Sequence, residues 1–280
     1  MSFLVHRGDL RRRRYFASYA EFSARARITF MKPLFLGGIL SLFCSQSAPC
    51  AEALRVAAAS DLRYALTEVI DKFNSSHPKL RIEVTYGSSG KFYSQLSNGA
   101  PFDMFFSADE EYPRRLYESG LGISPPVRYA TGRIVLWSRT RDPKSMKLSS
   151  LAEDSVEKIS IANPAHAPYG ARAQEALEKA EVWARIQKKL LLGENISQAA
   201  RFAESGGADF GVLSLSLAVV PPLSQVGRYE VIPADQHKPL RQSLLIMKRA
   251  SDHGSATSFA KFIVGKEGQK ILSKFGFEKP

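Results

Sequence analysis

The sequence predicts an α/β fold, and three observations carry that expectation. Short apolar runs suited to buried strands alternate with segments whose apolar residues recur at helical spacing. The order strand, turn, helix occurs three times within roughly the first 65 residues after position 54, the pattern of a parallel sheet in an α/β layer. The second half repeats that order, and extended segments near 129–137 and 233–245 suit crossovers between two lobes with a ligand cleft between them.

Taken in order, 54–59 is an apolar run that ends at Ser60 and Asp61. Leu62, Ala65, Leu66, Val69, Ile70 and Phe73 then mark one face of a helix. Leu80, Ile82, Val84 and Tyr86 alternate with polar residues, as in a half-buried strand. Gly87, Ser88, Ser89 and Gly90 break it, and a helix carrying Phe92 and Leu96 follows. Strand 103–107 and helix 110–119, closed by Gly120, complete the third unit. Farther on, strands are expected at 133–137, 158–162, 210–213, 229–232 and 243–247. Helices are expected at 171–180, 197–204, 259–264 and 268–275. The resulting division is 54–132 with 238–280 as lobe 1, and 133–237 as lobe 2.

Upstream of this body lies an export signal. Lys32 precedes an apolar run over 33–43, small residues follow, and Ala51-Glu52-Ala53 fits a small-x-small cleavage site, with a cut after Cys50 as the rival. The apolar run is too short to span a bilayer as a helix. The signal therefore covers 31–53 and directs the mature chain to the periplasm, with no membrane insertion. Residues 1–30 read as an untranslated or disordered extension; Arg11 to Arg14 offer a twin-arginine signal as the rival, although the apolar run starts far downstream of them. Cys44 and Cys50 follow Phe43 and Pro49, a poor lipoprotein pattern, and both precede the proposed cut. The mature chain then has neither a disulfide nor a thiol nucleophile.

The formal charge of +12 invites a nucleic-acid partner, but residues 1–53 hold eight basic residues against three acidic ones. The body keeps 31 basic and 24 acidic residues, with no basic stripe interleaved with aromatics, so no nucleic-acid partner is expected. The five histidines lack metal-ligand spacing, and Asp103, Asp109, Glu110 and Glu111 suit capping and solvation better than paired acid–base chemistry. No metal site, cofactor or enzymatic activity is expected.

The chemistry sits where strands end and helices begin. A helix start offers unpaired N–H groups and a partial positive charge, which suits an anion. Ser60 occupies one such turn and Ser88-Ser89 another, each with hydroxyl donors; His166 to Gly170 and Glu194 to Ser197 precede two more. Singly these signals are weak, because a serine after a strand is more often an N-cap and Tyr169 suits packing as well as donation.

Together they resemble a known family. The stretches AAASDLRYAL (57–66), YGSSGKFYSQLSNGAPFDMFFSADEEYPRRL (86–116), IANPAHAPYGARAQEAL (161–177), LGENISQAARF (192–202), GVLSLSLA (211–218) and the final FGF (275–277) resemble the periplasmic molybdate-binding proteins of bacterial ABC importers. That resemblance covers essentially all of 54–280. It implies a two-lobed periplasmic-binding-protein type II fold and a monomer that delivers molybdate or tungstate to an importer permease. It also implies an oxyanion held by hydrogen bonds from neutral groups. Carried over by motif, Ser60 and Ser89 supply hydroxyls, with Ser88 as the alternative to Ser89, and Tyr169 and Ile196 supply N–H groups. Some relatives place a donating tyrosine where this chain has Ser214, so the Tyr169 hydroxyl is expected to replace it. Asp61 would repel a dianion and is expected to turn away as a cap, offering at most its N–H. Another tetrahedral oxyanion (sulfate, phosphate or thiosulfate), an enzyme on the same fold, and a solute sensor remain the alternatives.

Overall fold

The computed structural model describes residues 53–280. The extension over 1–30 and all but the last residue of the export signal over 31–53 lie outside the described residues. The chain runs β1 (Leu54–Ala59), α1 (Arg63–Asn74), β2 (Ile82–Gly87), α2 (Ser89–Ser97), β3 (Met104–Ser107) and α3 (Glu111–Glu118). It continues through β4 (Val127–Gly132), β5 (Ile134–Ser138), β6 (Ile159–Ala162), α4 (Pro168–Lys179), α5 (Trp183–Ile186), β7 (Leu190–Gly193), α6 (Ile196–Glu204) and β8 (Phe210–Ser214). It ends with α7 (Leu215–Ala218), α8 (Leu223–Val226), β9 (Arg228–Val231), β10 (Leu240–Ile246), α9 (His253–Val264) and α10 (Lys266–Lys274).

These strands form two five-stranded sheets, ordered β2-β1-β3-β10-β4 and β7-β6-β8-β5-β9. The sheets are mixed, not wholly parallel. In the first, β1 pairs in parallel with β2 and β3, whereas β10 runs antiparallel to β3 and β4. In the second, β6 is parallel to β7 and β8, and β5 is antiparallel to β8 and β9. The reversal follows from connectivity. Strand–helix–strand units return the chain in the same direction, as in β3, α3 and β4, but β10 enters between β3 and β4 from the second sheet with no such helix before it, and so runs against both.

Period-two alternation explains why the apolar runs are continuous. Val56 and Ala58 face one side of the first sheet with Phe106, packing on Leu66, Phe73, Phe259 and Leu272. Ala57 and Phe105 face the other side, with Phe92, Leu96 and Leu116. Both faces are covered, so β1 is apolar except at Arg55 near its start, whose half-exposed side chain lies 3.6 Å from Asp103. The second sheet has its own core around Trp137, Ile161, Leu177 and Phe210.

The two passages between sheets are short. Arg133 alone separates β4 from β5, and residues 232–239 lead from β9 to β10. The segment 129–137, expected as one extended crossover, is instead two strands divided between the sheets. The helix expected at 171–180 starts three residues earlier, at Pro168, which occupies its first turn, so Tyr169 and Gly170 are helical. Gly170 is required there by contact: a Cβ on it would stand 2.1 Å from the Ala162 carbonyl oxygen. The glycine thus serves the tight packing of helix on strand.

Candidate functional site

Four backbone turns meet where the two sheets face each other. The turn Ser60–Leu62 follows β1, and α2 begins directly after β2 and Ser88. In the other half, α4 begins at Pro168 and α6 at Ile196. Their first residues line one small cavity of about 10 Å³ that includes Ser60, Asp61, Ser89, Tyr169, Asn195 and Ile196. No lysine, arginine or histidine side chain lines it. Three helix N-termini therefore supply its positive potential, through N–H groups that have no intrahelical acceptor. A larger hollow bordered by Met146, Leu148 and Ile232 has no such set of donors.

Ser60, Ser89, Tyr169 and Ile196 thus come together, each nearly sealed from solvent. Ser89 Oγ accepts from the Ala108 N–H at 2.9 Å, which fixes the oxygen and leaves its proton to donate. Ser88 is committed elsewhere: its hydroxyl lies 2.6 Å from the His166 carbonyl oxygen and 2.9 Å from His166 Nδ1. Ser60 Oγ is shared, accepting from the Ser197 N–H at 3.2 Å and donating to Asn195 Oδ1 at 3.2 Å. Asn195 caps α6, its Oδ1 accepting from the Gln198 N–H at 3.1 Å, so it does not depend on Ser60 for a donor. Pro168 has no N–H, which makes Tyr169 the first residue of α4 that can donate one.

The side chain of Tyr169 does not play the expected part. Its hydroxyl belongs to a buried network in which Gln242 Nε2 lies 3.1 Å from it and 2.7 Å from Asp61 Oδ2, while Gln242 Oε1 accepts from Tyr129 at 2.7 Å. Burial and the Asp61 charge hold the Tyr169 hydroxyl well above its ordinary pKa, so it stays protonated. Ser214 lies outside the cavity lining and accepts from the Ser216 hydroxyl at 3.2 Å. Asp61 does turn toward the protein, but not as a cap: the turn it occupies has Ala59 at its N-cap position and no side-chain cap. Its carboxyl instead joins the network of Gln242 and Tyr169.

Sequence reasoning missed the fastening across the cleft. His166 accepts at its carbonyl from both Ser88 and the Gly90 N–H, the latter at 2.9 Å. Gly90 permits this approach, because a Cβ there would stand 2.5 Å from the His166 oxygen and 2.7 Å from the Tyr112 hydroxyl. The Ser197 hydroxyl donates to the Ser60 carbonyl at 3.0 Å, and Lys91 pairs with Glu194 at 3.0 Å on the rim. The rim pair is half exposed and adds little energy. The glycine in SSG (88–90) is the one local signal that pointed to a close approach.

Among the described residues, no group of three His, Cys, Asp or Glu side chains is placed to hold a metal ion. No helix among them is long and apolar enough to cross a membrane.

Comparison with known proteins places this geometry in context. The family model for bacterial extracellular solute-binding proteins matches residues 54–278. The molybdate-binding protein ModA of Rhodobacter capsulatus is 33% identical over 198 residues, covering 70% of this chain and 77% of that protein. The solved structure of the periplasmic molybdate-binding protein of Azotobacter vinelandii superposes with a TM-score of 0.75 at 27% identity, covering 81% of this chain and 99% of that one. The sulfate-binding protein SubI of Mycobacterium tuberculosis shares the fold alone, with a TM-score of 0.70 at 16% identity over 81% of this chain and 86% of its own.

Proposed function

This chain belongs to the bacterial extracellular solute-binding protein family, and from that premise we propose that it captures molybdate or tungstate outside the cytoplasm and hands it to an ABC importer permease. The observation that carries the reading is the cavity itself: three helix starts and two serine hydroxyls converge on one buried volume with no cationic side chain in its lining. Such a set of neutral donors suits a fully ionised tetrahedral oxyanion, whose charge is met by N–H and O–H dipoles without the desolvation cost of buried counter-charges. Ser60 turns its proton from Asn195 toward the anion, Ser89 donates its free proton, and Tyr169 and Ile196 donate main-chain N–H groups. The molybdenum is bound through its oxygens, with no side chain on the metal. The mature chain works in the periplasm as a monomer and needs no cofactor, consistent with relatives that are solute carriers and not enzymes.

Size supports molybdate over sulfate. Both are dianionic tetrahedra near neutral pH, but the smaller sulfate does not reach every fixed donor. Each buried donor left unpaired costs on the order of 1–3 kcal/mol, so two such losses give about a hundredfold discrimination. Equilibrium dialysis of 54–280 against molybdate, with molybdenum counted per chain, tests this. One molybdenum per chain, retained against excess sulfate and phosphate, is the expected result. Equal displacement by sulfate would reassign the site to a general oxyanion binder.

A further inference from the structure

Asp61 is the one acidic residue that lines the anion cavity. It is 1% exposed, and its carboxyl is incompletely satisfied. Oδ2 accepts from Gln242 at 2.7 Å, but Oδ1 is sealed from solvent and has no hydrogen-bond partner. The amides of Asp61 and Leu62 lie near the carboxyl and favour its charge, yet neither is aligned to bond Oδ1. The groups around it are neutral donors: Gln242 on β10, with Tyr129 of β4 behind it, Tyr169 on α4, and Ser216 of α7 on the Asp61 carbonyl. At the start of α6, the side chains of its cap Asn195 and of Ser197 engage the adjacent Ser60. Another acid, Asp109, acts on Tyr129 and is itself offset by Arg172. Among the described residues, no cation forms an ion pair with Asp61 or offsets its charge.

A buried carboxylate without a cation faces a second difficulty when a dianion arrives beside it. Two like charges in a water-poor cavity repel strongly, and the cheapest relief is protonation of the weaker acid. We propose that Asp61 makes anion capture consume one proton: its carboxyl is ionised in the free protein at neutral pH and neutral once a dianion occupies the cavity. The proton comes from the buffered solvent, whose acid is left as its conjugate base, and the carboxyl gains a donor where it previously offered only acceptors. This inference rests on the oxyanion reading above and adds a specificity role for a side chain that the reading leaves idle. Burial already pushes the free carboxyl up to about 6, poised just below neutrality.

The sign of the pH effect follows. Below about pH 6 the carboxyl is already neutral, and affinity is independent of pH. Above it, each pH unit weakens binding by up to about tenfold, because a proton must be recruited. Calorimetric titration of molybdate at pH 6.5 to 8.5, in two buffers of different ionisation enthalpy, counts the protons taken up per anion. The expected result is close to one proton at pH 8, with a dissociation constant that rises steadily with pH. Asp61→Asn should take up none, bind with a flat pH profile, and bind more tightly than the wild type at pH 8, by roughly 10- to 100-fold. Molybdate binding without proton uptake in the wild type overturns the inference and leaves the oxyanion reading standing. Uptake that persists in Asp61→Asn also overturns it, assigning the proton to another group such as His166. No binding by the wild type at any pH overturns both. The wild-type proton count decides the matter even if the variant fails to fold.

Discussion

In the first lobe, the cavity receives side chains: Ser60 and Ser89 present hydroxyls from turns that follow β1 and β2, and Ser88 reaches past them to fasten His166. In the second lobe it receives main chain: Tyr169 and Ile196 lie within the first turns of α4 and α6, where N–H groups have no intrahelical partner, while the Tyr169 hydroxyl is bound into the Gln242 network. The difference bears on which substitutions matter. A hydroxyl is removed by a single change to alanine, whereas a main-chain donor survives any side chain that preserves the helix start.

Obstructing the approach of the lobes should have the largest effect, because it separates the two kinds of donor. Gly90→Val places methyl groups against the His166 carbonyl and the Tyr112 hydroxyl, both already within 2.7 Å of the Cβ position. Two or more donors are then lost to the anion at roughly 1.5–3 kcal/mol each, a fall of at least about a hundredfold in affinity. Circular dichroism should show the fold retained. Binding within threefold of wild type would mean that the fastening at His166 is dispensable.

The serines come next and sharpen the comparison within the first lobe. Ser60→Ala and Ser89→Ala should each weaken molybdate binding by roughly 1.5–3 kcal/mol, the range for a hydrogen bond to a charged group. Ser88→Ala loses only the neutral bonds to His166 and should cost about 1 kcal/mol. Isothermal titration of all three gives the order. If Ser88 proved the costliest, the hydroxyl donor would be the neighbour of the one assigned.

The smallest expected effect on binding belongs to Tyr169→Phe. The hydroxyl serves Asp61 and Gln242, so its loss should lower stability by about 1 kcal/mol in urea unfolding while leaving affinity within about threefold. A tenfold or greater loss of affinity with unchanged stability would return the hydroxyl to the anion.

The unequal legibility of the two lobes has the same origin. Strands such as β1 and β8 were readable because both faces of their sheets are buried and their residues are mostly apolar, Arg55 being the charged exception in β1. The alternation in β2 and the start of α6 after Asn195, an N-cap, were equally direct. The strand β4 was missed because its first residues, Val127 and Arg128, are exposed on a sheet edge and give no apolar run. The start of α4 was placed late because Pro168, Tyr169 and Gly170 suggest a turn, although proline is at home in a helix's first turn and this glycine is demanded by Ala162. At the site, hydroxyls announce themselves as serine, so Ser60 and the pair Ser88-Ser89 could be named from residue type and position, and the resemblance chose Ser89. A main-chain donor carries no side-chain signature, and Tyr169 and Ile196 were reachable only through resemblance. The partners of the Tyr169 hydroxyl lie 73 and 108 positions away in sequence, beyond any local pattern, at Gln242 and Asp61.

The central claim is that neutral donors from both lobes hold a tetrahedral dianion in this cavity. The most direct test is calorimetric titration of molybdate into the wild type and a Ser60→Ala/Ser89→Ala double variant side by side. The expected result is one molybdate per wild-type chain and an affinity at least about a hundredfold weaker in the double variant, whose loss combines roughly 1.5–3 kcal/mol per hydroxyl. A double variant that binds molybdate as tightly as the wild type would contradict the account and place the anion somewhere other than this cavity.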